Sequence, residues 1–495
     1  EDVSDTVYVN ASWDPELLPQ DPDGTEGPAT SLGYDAFAKI QDAIDYVEPG
    51  GTVYINPGTY TEDITVSKAV NLIGIVDEDG TKPVIEGTGE ANDGTNSVNV
   101  KLLSGSSGSK IQGLEFQANE GEQVSEWSGK NTYYSIMLKA DSSTNPIEDV
   151  VIKDCTFDTD ITEPLQYHAV AIQDEVSSKS TLIENCTFSG GYYVTVQGKD
   201  NTNDLTIKTS TITSAKSGIN IWGGSNIVID HVYIQVKAQA PQNDTYAVRV
   251  GIGAAMTNTK ITAGTFIVDK NGIEPDEGIY HSAIIIETHS SGDLEVKDAR
   301  IQGEVVNLST ATLYASGNYW GSDKGPFGAK LAGPIVIYDW YANEEMANLV
   351  SLDSVAQKVP TPGSTGVALN AEVKLVFDYP VYMVSEPKIT IGSLTGVSAE
   401  LYEDRKTVVV THPPFAYGTS YTVNVPEGTF YAKVGEESME PTVFVEEVIN
   451  SPVVYNRAFT WSFRTAARPL PPPPPEEPTP PGAEEPLPNS AIEEA

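Results

Sequence analysis

A six-residue pattern returning along the middle of the chain restricts what it can fold into more than any other feature. Ile152-Lys153-Asp154-Cys155-Thr156-Phe157 recurs as Ile183-Glu184-Asn185-Cys186-Thr187-Phe188 and as Ile207-Lys208-Thr209-Ser210-Thr211-Ile212. Further copies are Ile229-Asp230-His231-Val232-Tyr233-Ile234, Ile261-Thr262-Ala263-Gly264-Thr265-Phe266 and Val296-Lys297-Asp298-Ala299-Arg300-Ile301. An apolar residue leads each copy; two mostly polar residues, a small one, an outward one and a large apolar one follow. Side chains at i and i+2 share a face only while a strand stays extended, so period-two alternation broken at the third and fourth positions describes a strand bending round a corner. Self-similar segments in constant phase imply stacked units. Three columns are therefore predicted to point inward: the leading aliphatics, the small set from Cys155 to Ala299, and the bulky set Phe157, Phe188, Ile212, Ile234, Phe266 and Ile301.

The bulky positions are separated by 31, 24, 22, 32 and 35 residues. The shortest gaps approximate a bare coil, and the longer ones are coils carrying loops, because insertions in a solenoid go to its turns. Ile111-Gln112-Gly113-Leu114-Glu115-Phe116 reads as an earlier copy, with Glu120 to Thr132 as a loop beside it. A stack exposes strand edges at both ends, and each needs a cap. Phe37, Ile40, Ile44 and Val47, followed by Pro49-Gly50-Gly51, predict an amphipathic capping helix. Strand patterns follow at Thr52-Val53-Tyr54-Ile55 and Val70-Asn71-Leu72-Ile73-Gly74.

The segments Phe37 to Ile44, Gly51 to Tyr60 and Leu72-Ile73-Gly74 resemble the opening of pectin-lyase-like β-helix proteins. Gly317-Asn318-Tyr319-Trp320-Gly321-Ser322, with Gly325-Pro326 after it, is similar to the closing motif of such helices. The resemblance covers about 310 of 495 residues and implies an all-β fold, a right-handed parallel β-helix with an N-terminal capping helix. It leaves activity open, since this scaffold carries lyases, hydrolases, esterases, adhesins and inert surface proteins.

From about Ser354 the pattern changes to short alternating strands between Gly and Pro turns, as in Val373 to Phe377, Thr407 to Val410, Ser420 to Val425 and Phe459 to Phe463. Such strands predict a β-sandwich. The opening Pro362 to Phe377, the strand ending at Pro426 and the closing Phe463-Arg464-Thr465 resemble the bacterial Ig-like modules of surface-layer and cell-wall proteins. Glu436 to Arg457 departs from that shape and reads as an extended hairpin. After Arg468 the chain is rich in Pro and Glu, a stiff polyproline spacer. Leu487-Pro488-Asn489-Ser490-Ala491 resembles a wall-sorting pentapeptide, with Ser where that motif has Thr. The domains are thus a strand and loop over 1–33, a β-helix over 34–350, an Ig-like sandwich over 351–467 and an extended tail over 468–495.

Asp and Glu number 70 against 29 Lys and Arg, a net charge of −41 that repels nucleic acid and anionic membrane surfaces. No run of 18 apolar residues offers a membrane span. Glu1 leads directly into a strand-like segment, as in a chain whose secretion signal has been removed, which points to an extracellular or cell-surface location. Two cysteines exclude a disulfide framework, and their shared inward column favours buried free thiols over a bridge.

A β-helix lyase abstracts a proton with Arg or Lys while calcium neutralises the substrate carboxylate. Arg249 and Arg300 are the candidate bases, and Lys153, Lys208 and Lys297 face outward without an evident acidic cluster. The plainer account makes all of these solvated charges. The paired carboxylates of polygalacturonase-type hydrolysis, zinc and phosphate-loop motifs are missing. His231 beside Asp230 reads as a local pair. Asp21 with Asp23, and Asp77 with Asp79, are calcium candidates on Gly-containing turns, or ordinary acidic turns. Tyr192, Tyr193 and Trp222 lie between copies and are candidates for stacking on sugar rings, or for coil packing. The leading expectation is a non-enzymatic surface protein, of surface-layer, filament or adhesin type, that self-associates. The alternatives are a calcium-dependent lyase on uronic-acid polymers and a polysaccharide-binding module without turnover.

Overall fold

The repeat closes into a three-sided parallel β-helix. A computed structural model describes residues 4–17, 20–94, 96–117, 132–140, 145–159, 166–172, 178–190, 193–214, 216–354, 356–435 and 451–474. Each coil contributes a strand to each of three long parallel sheets. In the second sheet Phe116, Phe157, Phe188, Ile212, Ile234, Phe266 and Ile301 are successive register partners, and all are fully buried. Phe116, Phe157 and Phe188 stack ring on ring at 4.8 and 4.6 Å. In the first sheet Ile111, Ile152, Ile183, Ile207, Ile229, Ile261 and Val296 form the leading column.

The third position of each copy makes the corner. Asp154, Asn185, Thr209, His231, Ala263 and Asp298 all have φ between 50° and 55°. A left-handed residue costs about 1–2 kcal/mol relative to ordinary helical backbone. Here the ladder continues through it: Asp154 N–H donates to Glu184 O (3.1 Å), Asn185 N–H to Lys208 O (3.2 Å), and His231 N–H to Thr262 O (3.0 Å). Cys155 and Cys186 follow the corner as buried free thiols. Hydrogen bonding to Cys155, with burial, holds the Cys186 thiol well above its usual range.

At the N-terminal end Thr6–Val9 pairs in parallel with Thr52–Ile55. The capping helix, α1, runs over Ile40–Tyr46 and buries Ile40, Ala43 and Ile44. Phe37, expected in this helix, belongs instead to the short strand Ala36–Phe37. The Glu62 carboxylate accepts from Ile40 N–H (2.9 Å) and Gln41 N–H (3.1 Å), which sets where the helix starts. Near the far end the buried amide of Asn318 accepts from Ala299 N–H and donates to Val296 O. Gly325 sits at φ +59°, where an added Cβ would lie 2.2 Å from the Trp340 ring.

The sandwich forms as expected. One sheet holds Ala356–Val359, Val373–Phe377, Thr407–Thr411 and Ser398–Leu401; the other holds Thr390–Ile391, Ser420–Val425 and Phe459–Arg464. Three strands leave this pattern. Val453–Tyr455 pairs in parallel with Ile335–Ile337 of the β-helix, and Phe430–Lys433 and then Tyr382–Met383 add to it antiparallel. The first sheet of the solenoid therefore continues into the second domain. Tyr338, Tyr455, Tyr431 and Tyr382 line that crossing at centroid separations of 6.0, 5.6 and 5.0 Å. Arg457 bonds Asp339 at 3.0 Å, and Phe327 stacks on Tyr379 at 3.8 Å. Of the predicted hairpin, 436–450 lies outside the described residues, as does the tail from 475.

Phe188→Ala should destabilise the chain by about 3–5 kcal/mol in urea unfolding, since its cavity lies inside a ring stack that neighbours cannot fill. Val454→Pro removes a ladder N–H at the junction; calorimetry should then show two separate transitions where the parent shows one.

Candidate functional site on the third sheet

On three successive coils the third strand sets an outward residue between inward positions that are aliphatic except for Gly198: Val196-Gln197-Gly198, Ile219-Asn220-Ile221 and Val248-Arg249-Val250. Gln197, Asn220 and Arg249 are register partners on successive rungs, so their side chains rise from the sheet in one row. Tyr193 enters this row just before its strand and Trp222 leaves it just after. Together they line a cleft of about 670 Å³ that also takes in Tyr134, His168, Lys199, Lys216, Asp244 and Tyr246.

Three of the residues singled out from sequence, Tyr193, Trp222 and Arg249, thus meet in one place. Tyr192 lies outside the described residues. The Lys216 ammonium sits 3.6 Å from the Tyr193 ring centroid, and that of Lys199 sits 3.9 Å from Trp222. His168 is buried, stacked on Tyr134 at 5.2 Å and edge-on to Tyr193 at 6.3 Å. Its Nδ1–H donates to Val194 O at 3.0 Å, which leaves the lone pair on Nε2. Burial drives its pKa down to about 4, assisted by Lys199 and opposed by the bond to Val194. Asn220 is 6% exposed, and neither its Oδ1 nor Trp222 Nε1 has a hydrogen-bond partner among the described residues.

Arg249 is held between Asp244 Oδ2 (2.7 Å) and Glu287 Oε1. Burial alone would lower its pKa, but Glu287, with Tyr246 and Asp244, outweighs burial and raises it. A guanidinium so fixed remains a cation and does not take up a proton. Arg300 lies on the second sheet, where its Nε–H donates to Glu344 O. The two arginines therefore do not share a groove. Lys153 and Lys208 are less isolated than their sequence context suggests, for Glu184 lies between them at 3.0 and 3.1 Å. Asp230 bonds His231 at 2.9 Å.

The four turn aspartates are placed apart from the cleft. Asp21 Oδ1 accepts from Gly24 N–H, Asp23 Oδ2 from Ala29 N–H, and Asp77 Oδ1 from Asp79 and Thr81 N–H. These carboxylates close their own turns. No group of three or more His, Cys, Asp and Glu side chains arranged for a metal occurs among the described residues.

His168, Gln197, Lys199, Lys216 and Asn220 were not anticipated. The signal available was the aliphatic, variable, aliphatic triplet of the third strand, whose middle residue faces outward on every rung. Without the register, nothing marks Lys199 and Trp222 as neighbours.

Residues 352–465 match the bacterial Ig-like domain family. No curated protein matches the chain. Similar solved structures include PfbA, a surface adhesin of Streptococcus pneumoniae, at 11% identity over 64% of this chain and 91% of that one, TM-score 0.31. The tailspike protein of Acinetobacter baumannii phage AM24 is 9% identical over 86% of this chain and 69% of that one, TM-score 0.30. No helix among the described residues is long and apolar enough to cross a membrane.

A buried neutral histidine makes stability depend on pH. The folded pKa of about 4 lies below the ordinary 6.5, so the unfolded chain binds more protons in between. The contribution of His168 is present above pH 6.5 and is lost as pH falls through about 4, on the order of 3 kcal/mol. Urea unfolding of the parent and His168→Gln at pH 7 and pH 4.5 should show the smaller acid loss in the variant; equal losses would contradict this placement.

Proposed function

We propose that this chain is an extracellular, cell-surface adhesive protein whose β-helix holds a glycan in the third-sheet cleft without turning it over. The observation that carries the reading is the lining itself: Tyr193 and Trp222 beside the acceptors His168 Nε2 and Asn220 Oδ1. Aromatic rings flanked by a few fixed polar groups suit the apolar and hydroxyl faces of a sugar. Arg249, the candidate base for elimination in this cleft, is held as a cation by two carboxylates and does not take up a proton. The bacterial Ig-like module supports a surface location.

Association with other copies belongs to the same reading. The last edge of the solenoid's first sheet is occupied by Val453–Tyr455. Contacts between copies then fall to the N-terminal end, the tail or the sandwich edge Ser398–Leu401, which among the described residues pairs on one side.

Binding to a glycan array checks the first part. Trp222→Ala and Tyr193→Ala should each weaken retention roughly tenfold, with melting temperature unchanged. A rise in ultraviolet absorbance on incubation with uronic-acid polymers, marking new double bonds, would replace this reading by a lyase.

A further inference from the structure

Charge in the cleft is distributed in a way that the molecule as a whole is not. The chain carries −41, yet the described lining residues include three cations, Lys199, Lys216 and Arg249, and one carboxylate, Asp244. Arg249 is accounted for, because Asp244 and Glu287 both bond it. The two lysines are not. Neither has a carboxylate partner among the described residues; each ammonium rests on a ring face instead. A ring quadrupole holds an ammonium in position without cancelling its charge, and leaves its other N–H donors free.

We infer that the cleft takes a sparsely acidic saccharide, one anionic group carried on otherwise neutral sugars, with Lys199 and Lys216 receiving the anion. The inference rests on the glycan-binding reading above and specifies its ligand. Asn220 Oδ1 is a buried acceptor without a partner among the described residues, and His168 Nε2, the ring nitrogen not engaged by Val194, lines the same cleft. An unpartnered buried acceptor calls for a donor, which a sugar hydroxyl supplies. The ammonium groups call for an anion. One ligand must therefore offer hydroxyls and a negative charge together.

A polymer charged on every residue fits less well. Beyond the lysines it would meet the Asp244 carboxylate, which is 27% exposed, and the field of the strongly acidic surface. Two unpaired cations match one or two charges.

Titration calorimetry of the full chain tests this with four oligosaccharide sets: neutral, singly sialylated, singly sulfated, and fully charged oligogalacturonates. The singly acidic sugars should bind at least roughly tenfold tighter than their neutral parents, and the advantage should shrink as sodium chloride rises. The sialylated and sulfated sets show whether a carboxylate or a sulfate ester is preferred. Lys199→Gln and Lys216→Gln should each remove most of that advantage with melting temperature unchanged. Equal affinity for neutral and acidic sugars would overturn the inference and leave glycan binding standing. Tightest binding of oligogalacturonates would overturn the sparse-charge specification. No binding to any saccharide would remove the proposed function, and this inference with it.

Discussion

Parallel pairing of each strand with its counterpart one coil later is the constraint from which the other features follow. It forces like residues into rows, so a phenylalanine at one rung stacks on the phenylalanine of the next, as Phe116, Phe157 and Phe188 do. It also fixes the corners. A residue in left-handed conformation recurs at the third position of every copy, and the ladder hydrogen bond through that residue continues from Asp154 to Ala263. Local strain of this kind persists only where the surroundings over-determine it. The side chains there, Asp, Asn, Thr, His and Ala, are short or polar enough to bear it.

What the amino-acid pattern revealed, and what it hid, divide along the same line. The first and second strands of each coil repeat as one six-residue unit, so the inward columns could be read directly from Ile152, Cys155 and Phe157 and their counterparts. The third strand lies at a variable distance from that unit, because loops intervene. Its outward row, and with it the cleft, depends on a register that spacing does not reveal. Tyr193 and Trp222 stand out for sugar stacking and Arg249 as a candidate base, under two different expectations. Only the stacking shows that they belong to one site, together with His168 and Asn220, which no local motif distinguishes.

The junction between the two domains was hidden for a different reason. Val453–Tyr455 looks like any short strand of a sandwich, and one of its edges pairs antiparallel with Phe430–Lys433 of the same module. Its other edge continues the solenoid. A solenoid end is an open ladder that must be covered, and here the cover is a strand from the following module. The tyrosine row from Tyr338 to Tyr382 and the Arg457 to Asp339 pair cross the same boundary. The rod and the module are thereby joined through a shared sheet, and the cleft is carried on a scaffold whose rungs are fixed from both ends.

In-register stacking predicts distances that grow by a constant step. Glu115, Thr156, Thr187, Thr211, Tyr233, Thr265 and Arg300 succeed one another along the second sheet. Spin labels placed at Glu115 and, in separate samples, at Tyr233, Thr265 or Arg300 are four, five and six rungs apart in that order. Pulsed electron resonance should return backbone separations of about 19, 24 and 29 Å, a step of about 4.8 Å per rung. Separations that do not rise in even steps would contradict the stacked coil and everything placed upon it.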